Sequence, residues 1–250
     1  KLANYLRECR RMDIDVYVPD VNLSQANFSP VGQSIRFGFS AIRNVGANVV
    51  DAIIATREEK GPFTSFSDFL NKVPQSVCNR RTIESLIKAG AFDSLGDSRR
   101  ALMSRHEEAV NSVVGLKRNE AVGQFDLFGA FEGEDAQAFS IDIPDLPEWD
   151  KKEKLGFERE MLGLYVSDHP LSGLEYVIGR NSDHEVAELL ADDGAVTDGA
   201  SVKLCGLICA VERKVTKKTG SPMAIVTLED LSGSIEVTFF PASYDTFCDY

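Results

Sequence analysis

The residues best equipped for chemistry are carboxylates. Asp13 and Asp15 stand two apart, with Asp20 close behind. On a strand that spacing sends both side chains to one face, where they could hold a divalent metal for phosphoryl transfer. A solvated turn between helix and strand is the simpler reading, because nothing nearby completes a ligand set. The three histidines, His106, His169 and His184, lie far apart and lack the spacing of a zinc site. Cys205 and Cys209 fall on one strand face by period two and read as core or edge thiols. The run from Thr216 to Ser221 lacks the spacing of a phosphate-cradling Walker loop. No nucleophile has a triad around it. No catalytic residue and no metal ligand is assigned.

Binding signals are better. In Ile42-Arg43-Asn44-Val45-Gly46-Ala47-Asn48-Val49-Val50 an apolar helix breaks at a tight turn and resumes at once. Such a turn needs positive φ, which Gly46 supplies freely and Asn44 tolerates. It would expose backbone N–H groups at the start of the next helix, a ready site for phosphate. This is a helix-hairpin-helix, which grips duplex backbone without reading bases; the plain alternative is a hairpin that merely packs. A second candidate is Leu86–Phe92 around Lys88 and Gly90, with Arg80, Arg81, Arg99 and Arg100 close by. Gln124-Phe125-Asp126-Leu127-Phe128 lies in an acidic stretch, where its apolar side chains need a cover. It could anchor in a partner's apolar pocket or dock on the chain's own domains. Arg213, Lys214, Lys217 and Lys218 crowd one connection between strands, suited to single-stranded nucleic acid.

These residues need elements to hold them. The pattern predicts a helix end over 2–12, a strand at Asp15–Val18, and two short helices between Ser40 and Lys60 broken at 44–46. Further helices are predicted at Ser67–Lys72, at Asn79–Lys88, and from an Asp97 cap to about Lys117. Gly123–Trp149 reads as an extended linker, rich in Gly, Pro and acid. Asp150 and Glu153 resemble a capping box opening another helix. Strands are then predicted at Val202–Val211, Met223–Leu228 and Ile235–Phe240, before a helix from Pro241. Three strands do not close a barrel. The β segment resembles the start of an OB-fold.

The 250 residues carry 27 Lys+Arg against 39 Asp+Glu, a formal net charge of -12. A protein coating nucleic acid uniformly is therefore excluded, while segregated charge leaves local phosphate contact open. Five scattered cysteines suit free thiols in a reducing compartment. No apolar run approaches the roughly 18–20 residues that span a bilayer, and no secretory signal opens the chain. A cytoplasmic protein without membrane contact is expected. The start at Lys1 points to a fragment.

The wording of the chain is also specific. Leu6-Arg7-Glu8-Cys9-Arg10-Arg11-Met12 leads into Val18–Asn22, and Ile35-Arg36-Phe37-Gly38-Phe39-Ser40 leads into the first turn. Phe63–Phe66, Leu86–Asp93 and Glu160–Leu171 follow in order. Together they resemble the alpha subunits of bacterial DNA polymerase III, the replicative C-family polymerases. The resemblance implies an α+β multidomain chain: a mostly α helix-hairpin-helix domain followed by an incomplete OB-fold β-barrel. It places the end of a fingers domain at 1–33, tandem hairpins at 34–121, an acidic linker with a clamp-binding peptide at 122–149, a helical connector at 150–198 and a truncated OB domain at 199–250. It implies a DNA-directed DNA polymerase whose catalytic aspartates and Mg belong to an upstream palm domain, leaving no cofactor in this segment.

Implied DNA contacts are Arg43, Asn44, Val45, Gly46, Ala47, Arg80, Arg81, Lys88 and Gly90 for duplex. Arg213, Lys214, Lys217 and Lys218 would meet single-stranded template. Gln124–Phe128 is similar to the pentapeptide that binds the sliding clamp (beta subunit), with Phe125 where Leu is commoner. Other polymerase III holoenzyme subunits are further expected partners. A repair adaptor bridging clamp and DNA, or a scaffold whose acidic segments bind proteins, are the competing readings.

Overall fold

The computed structural model describes residues 5–6, 8–9, 12–121, 139–191, 196–217 and 219–248. Two compact units result: Cys9–Asp168, and His169–Tyr250 with Lys1–Glu8.

In the first unit, β1 (Val16–Tyr17) lies parallel to β3 (Ser34–Arg36), and β2 (Ser29–Val31) lies antiparallel on the other side of β3. A 3-10 turn at Phe39–Ala41 precedes α1 (Ala47–Lys60), α2 (Phe66–Lys72), α3 (Arg80–Lys88), α4 (Arg99–Ala121) and α5 (Lys151–Leu162). Side-chain caps start several of these helices, though not α1. Ser65 accepts from the Asp68 amide, Asn79 from Arg81, and Asp150 from Glu153. Phe66 and Phe69 each meet Phe92 edge-on, at 5.2 and 5.0 Å between centroids, in a core closed by Ile83, Leu86 and Ile87.

Three expectations are corrected here. The first arm of the hairpin is a single 3-10 turn instead of a helix. Phe39 and Ser40 donate to the carbonyls of Gln25 and Ala26, and a Cβ on Gly38 would sit 2.7 Å from Ala26 O. A chain pinned that closely cannot wind. The cap of α4 is Ser98, whose hydroxyl accepts from the Ala101 amide at 3.1 Å; Asp97 is left beside it. Finally, the Gly123–Trp149 linker is docked where it is described. Phe139 exchanges hydrogen bonds with the Asn71 side chain, and the Ile141 amide donates to Ser67 Oγ. The Leu146 carbonyl accepts from Ser98 Oγ, and Glu148 accepts from the Arg99 and Arg100 amides at 3.2 and 3.3 Å. Phe139, Ile141 and Ile143 pack on the core. The segment 139–149 is a strap, not a free tether.

In the second unit, α6 (Glu175–Asn181) and α7 (Val186–Leu190) precede an antiparallel sheet ordered β4 (Leu207–Val215), β5 (Pro222–Glu229), β6 (Ser234–Phe239), followed by α8 (Pro241–Phe247). The β4 strand starts later and runs further than the sequence pattern predicts. Gly206 presses against the Glu229 backbone, where a Cβ would not fit, so 202–205 stay outside the ladder. Glu212, Arg213 and Lys214 pair with Ile225, Ala224 and Met223; the strand is exposed on both faces from Ala210 to Val215, so consecutive charged residues fit it. A register shift between Ile208 and Ala210 places Cys209 at a bulge. With Cys205 outside the strand, the two thiols do not share a face as predicted. The three-stranded sheet does not close, so the α+β class holds without a complete barrel.

Candidate nucleic-acid interface

The turn at Arg43–Ala47 is built from both ends. The Arg43 amide donates to the Met161 carbonyl at the end of α5, 2.9 Å away. Asn44 adopts φ 66°, and its Nδ2 donates to Ser85 Oγ on α3 at 3.2 Å. Val45 is the buried peg of the turn, 8% exposed. Gly46 then caps α1 in extended geometry, φ −81° and ψ 158°. Of the two residues expected to allow positive φ, Asn44 takes it and Gly46 does not. An N-cap is extended by nature, and Asn is among the residues that reach positive φ at least cost.

This leaves a concentrated set of donors. Gly46, Ala47 and Asn48 are exposed, and among the described residues no partner takes their amides. Val49 and Val50 already donate to the Gly46 carbonyl. The first amides of a 14-residue helix therefore face outward at the positive end of its dipole. Arg43 is exposed next to them. On α3, Arg81 is exposed and its carbonyl accepts from Ser85 Oγ, the hydroxyl that meets Asn44. Among the described residues neither guanidinium has an ion pair. The amides and Arg43 lie together at the turn, and Ser85 ties α3, distant in sequence, to that turn.

The second turn is different. Gly90 has φ 83° and is buried, and its amide donates back to Ile87 O at 2.9 Å. A Cβ there would come 2.6 Å from the Arg99 guanidinium carbon. Gly90 thus offers no outward donor. Arg99 is 1% exposed and forks between Asp93 at 2.7 Å and Glu158 at 2.9 Å. Glu158 also accepts from the Val166 and Ser167 amides and the Ser167 hydroxyl, so the buried charges are fully bonded. Lys88 is engaged with Glu84 at 2.8 Å and Glu160 at 3.4 Å, above the Phe157 ring. Burial would lower its pKa, but the bonds and charges of Glu84 and Glu160 hold it above the ordinary lysine value. Arg80 is exposed but bonded to Asn111 and Glu107 on α4.

In the second unit, Arg213, Lys214 and Lys217 are exposed on and beyond β4, with Lys214 paired to Glu212 at 3.0 Å. Lys218 and Gln124–Phe128 (Gln124, Phe125, Asp126, Leu127, Phe128) lie outside the described residues. The acidic triplet does not assemble: Asp13 and Asp15 are exposed, while the Asp20 carboxylate caps the Asn22 and Leu23 amides. Among the described residues no cluster of three or more His, Cys, Asp or Glu is placed to hold a metal, and no helix is long and apolar enough to cross a membrane. Sequence reasoning missed Ser85 and Asn48. The available signal for Ser85 was a hydroxyl, like that of Thr82, among the apolar positions of an amphipathic helix.

A family model described as a helix-hairpin-helix motif matches residues 13–102. The turn at Arg43–Ala47 lies inside that match. Over the whole chain, DNA polymerase III subunit alpha of Saccharopolyspora erythraea is 51% identical across 253 residues, covering 100% of this chain and 21% of that relative. The subunit of the same name from Mycobacterium tuberculosis (strain H37Rv) is 51% identical over 250 residues, covering 99% and 21%. That of Borreliella burgdorferi is 36% identical over 250 residues, covering 100% and 21%. The chain is thus related, end to end, to a segment of DNA polymerase III alpha subunits, and it spans 21% of the length of these relatives.

Proposed function

We propose that this chain is the duplex-gripping segment of a replicative DNA-directed DNA polymerase. The carrying observation is the row of amides at Gly46, Ala47 and Asn48 with no partner among the described residues, beside the exposed Arg43, with Arg81 exposed on the helix that Ser85 ties to the turn. Backbone phosphates of the newly made duplex are the matching ligand, and such contacts position an enzyme without reading sequence. Gly90, Lys88 and Arg80 support the fold around this site. The phosphoryl-transfer step and its Mg belong to the upstream palm domain of the polymerase.

Two further parts complete the reading. Gln124–Phe128 binds the sliding clamp, which raises the local concentration of the polymerase at the primer end after each dissociation. The β4–β6 sheet is the opening of an OB-fold, with Arg213, Lys214, Lys217 and Lys218 toward single-stranded template. The whole operates in the cytoplasm with the other holoenzyme subunits.

Ala47→Pro tests the grip. Proline is favoured at the first helical position, and the extended Gly46 is the conformation that a residue before proline prefers. The variant should keep its thermal stability yet lose duplex affinity, measured by fluorescence anisotropy on a labelled duplex. Unchanged affinity would remove the amides from the interface. For the tether, replacing Gln124, Leu127 and Phe128 by Ala should abolish clamp capture in surface plasmon resonance; retained capture would move the clamp site elsewhere.

A further inference from the structure

We infer that Ser85 is a positioning residue, one hydroxyl that holds the phosphate-facing turn in register with α3. This rests on the reading of that turn given above. Ser85 is 2% exposed, on the side of α3 that carries Ile83, Leu86 and Ile87 into the core. A hydroxyl in a helix commonly satisfies itself on the carbonyl four residues back, and Ser85 Oγ does so with Arg81 O at 2.8 Å. Its second bond is therefore not required by its own burial. That bond comes from Asn44 Nδ2, 41 residues away in sequence, at 3.2 Å.

The gain falls to Asn44. Its left-handed backbone sets the direction in which the following amides leave the turn, and an exposed residue in that conformation has little else to hold it. The Arg43 amide is fixed on Met161 O, so bonds at successive residues pin the entry of the turn. Gly46, Ala47 and Asn48 are left as free donors. Because Ser85 Oγ also donates to the Arg81 carbonyl, one hydroxyl links the turn to the first turn of α3.

The test uses the 250-residue chain, Ser85→Ala, Asn44→Gly and the double variant. Gly at 44 keeps or eases the positive φ while removing the tether, and it sits on the surface, so it remains informative if Ser85→Ala folds poorly. Each single variant should weaken binding of a short labelled duplex by about three- to tenfold, the scale of one lost hydrogen bond. The double variant should lose no more than either single one. Without DNA, 15N order parameters at Gly46 and Ala47 should fall from about 0.85 toward 0.6 in both. Additive losses, or unchanged order parameters, would overturn the inference. Absence of duplex binding by the unsubstituted chain would instead overturn the phosphate reading, while the order parameters still decide whether Ser85 positions the turn.

Discussion

Arg99 and Asp97 show how far a charge's environment departs from its neighbourhood in sequence. Arg99 belongs to a basic run with Arg80, Arg81, Lys88, Arg100 and Arg105, yet it is sealed between Asp93 and Glu158. Residue type cannot distinguish a guanidinium that meets phosphate from one held by a nearby Asp93 and by a buried Glu158 from 59 residues away. The choice between Asn44 and Gly46 has a similar origin: the Asn-Val-Gly spelling allows either residue to carry positive φ, and in the structure Asn44, tethered to Ser85, does. Asp97, displaced from its predicted cap, is partly buried beside Ser65, Ser67 and Ser140, and burial raises its carboxyl pKa. A raised folded value means that ionised Asp97 opposes folding above that value, and that the penalty vanishes below the unfolded value of about 3.9. Asp97→Asn should therefore raise the melting temperature at pH 7, with the gain disappearing near pH 3. Equal melting temperatures at pH 7 would count against this account.

Elements governed by local chemistry were legible in the sequence; those made by distant contacts were not. Asn79 and Asp150 announce their helices by capping, and the β4–β6 order follows from alternation and turns. The strap at 139–149 has no period of its own, because its order comes from Asn71, Ser67, Ser98 and the start of α4. Its Glu148 carboxylate does the work of an N-cap from 48 to 49 residues away. Glu148→Gln should cost about 0.5–2 kcal/mol, the usual range for a lost cap with its dipole contribution, read as a lower midpoint in urea. A null result would mean that Ser98 caps α4 alone.

For the whole molecule, a net charge of -12 and affinity for DNA are compatible because the cations are local. Arg43 stands beside the outward-facing amides and Arg81 is exposed on α3, while Arg80, Lys88 and Arg99 are held by acids or amides of the fold. If those two cations carry duplex binding, the logarithm of affinity should fall against the logarithm of salt with a slope of about −2. A slope of about −4 to −5 would mean that Arg213, Lys214 and Lys217 also reach the duplex.

The strap has a mechanical consequence as well. A load applied at Phe139 meets its anchors one after another: Asn71 first, then Ser67, then Ser98 and the amides beyond it. Such an attachment peels in small steps and can re-form between them, so tension from that side is shed gradually before the helices themselves feel it.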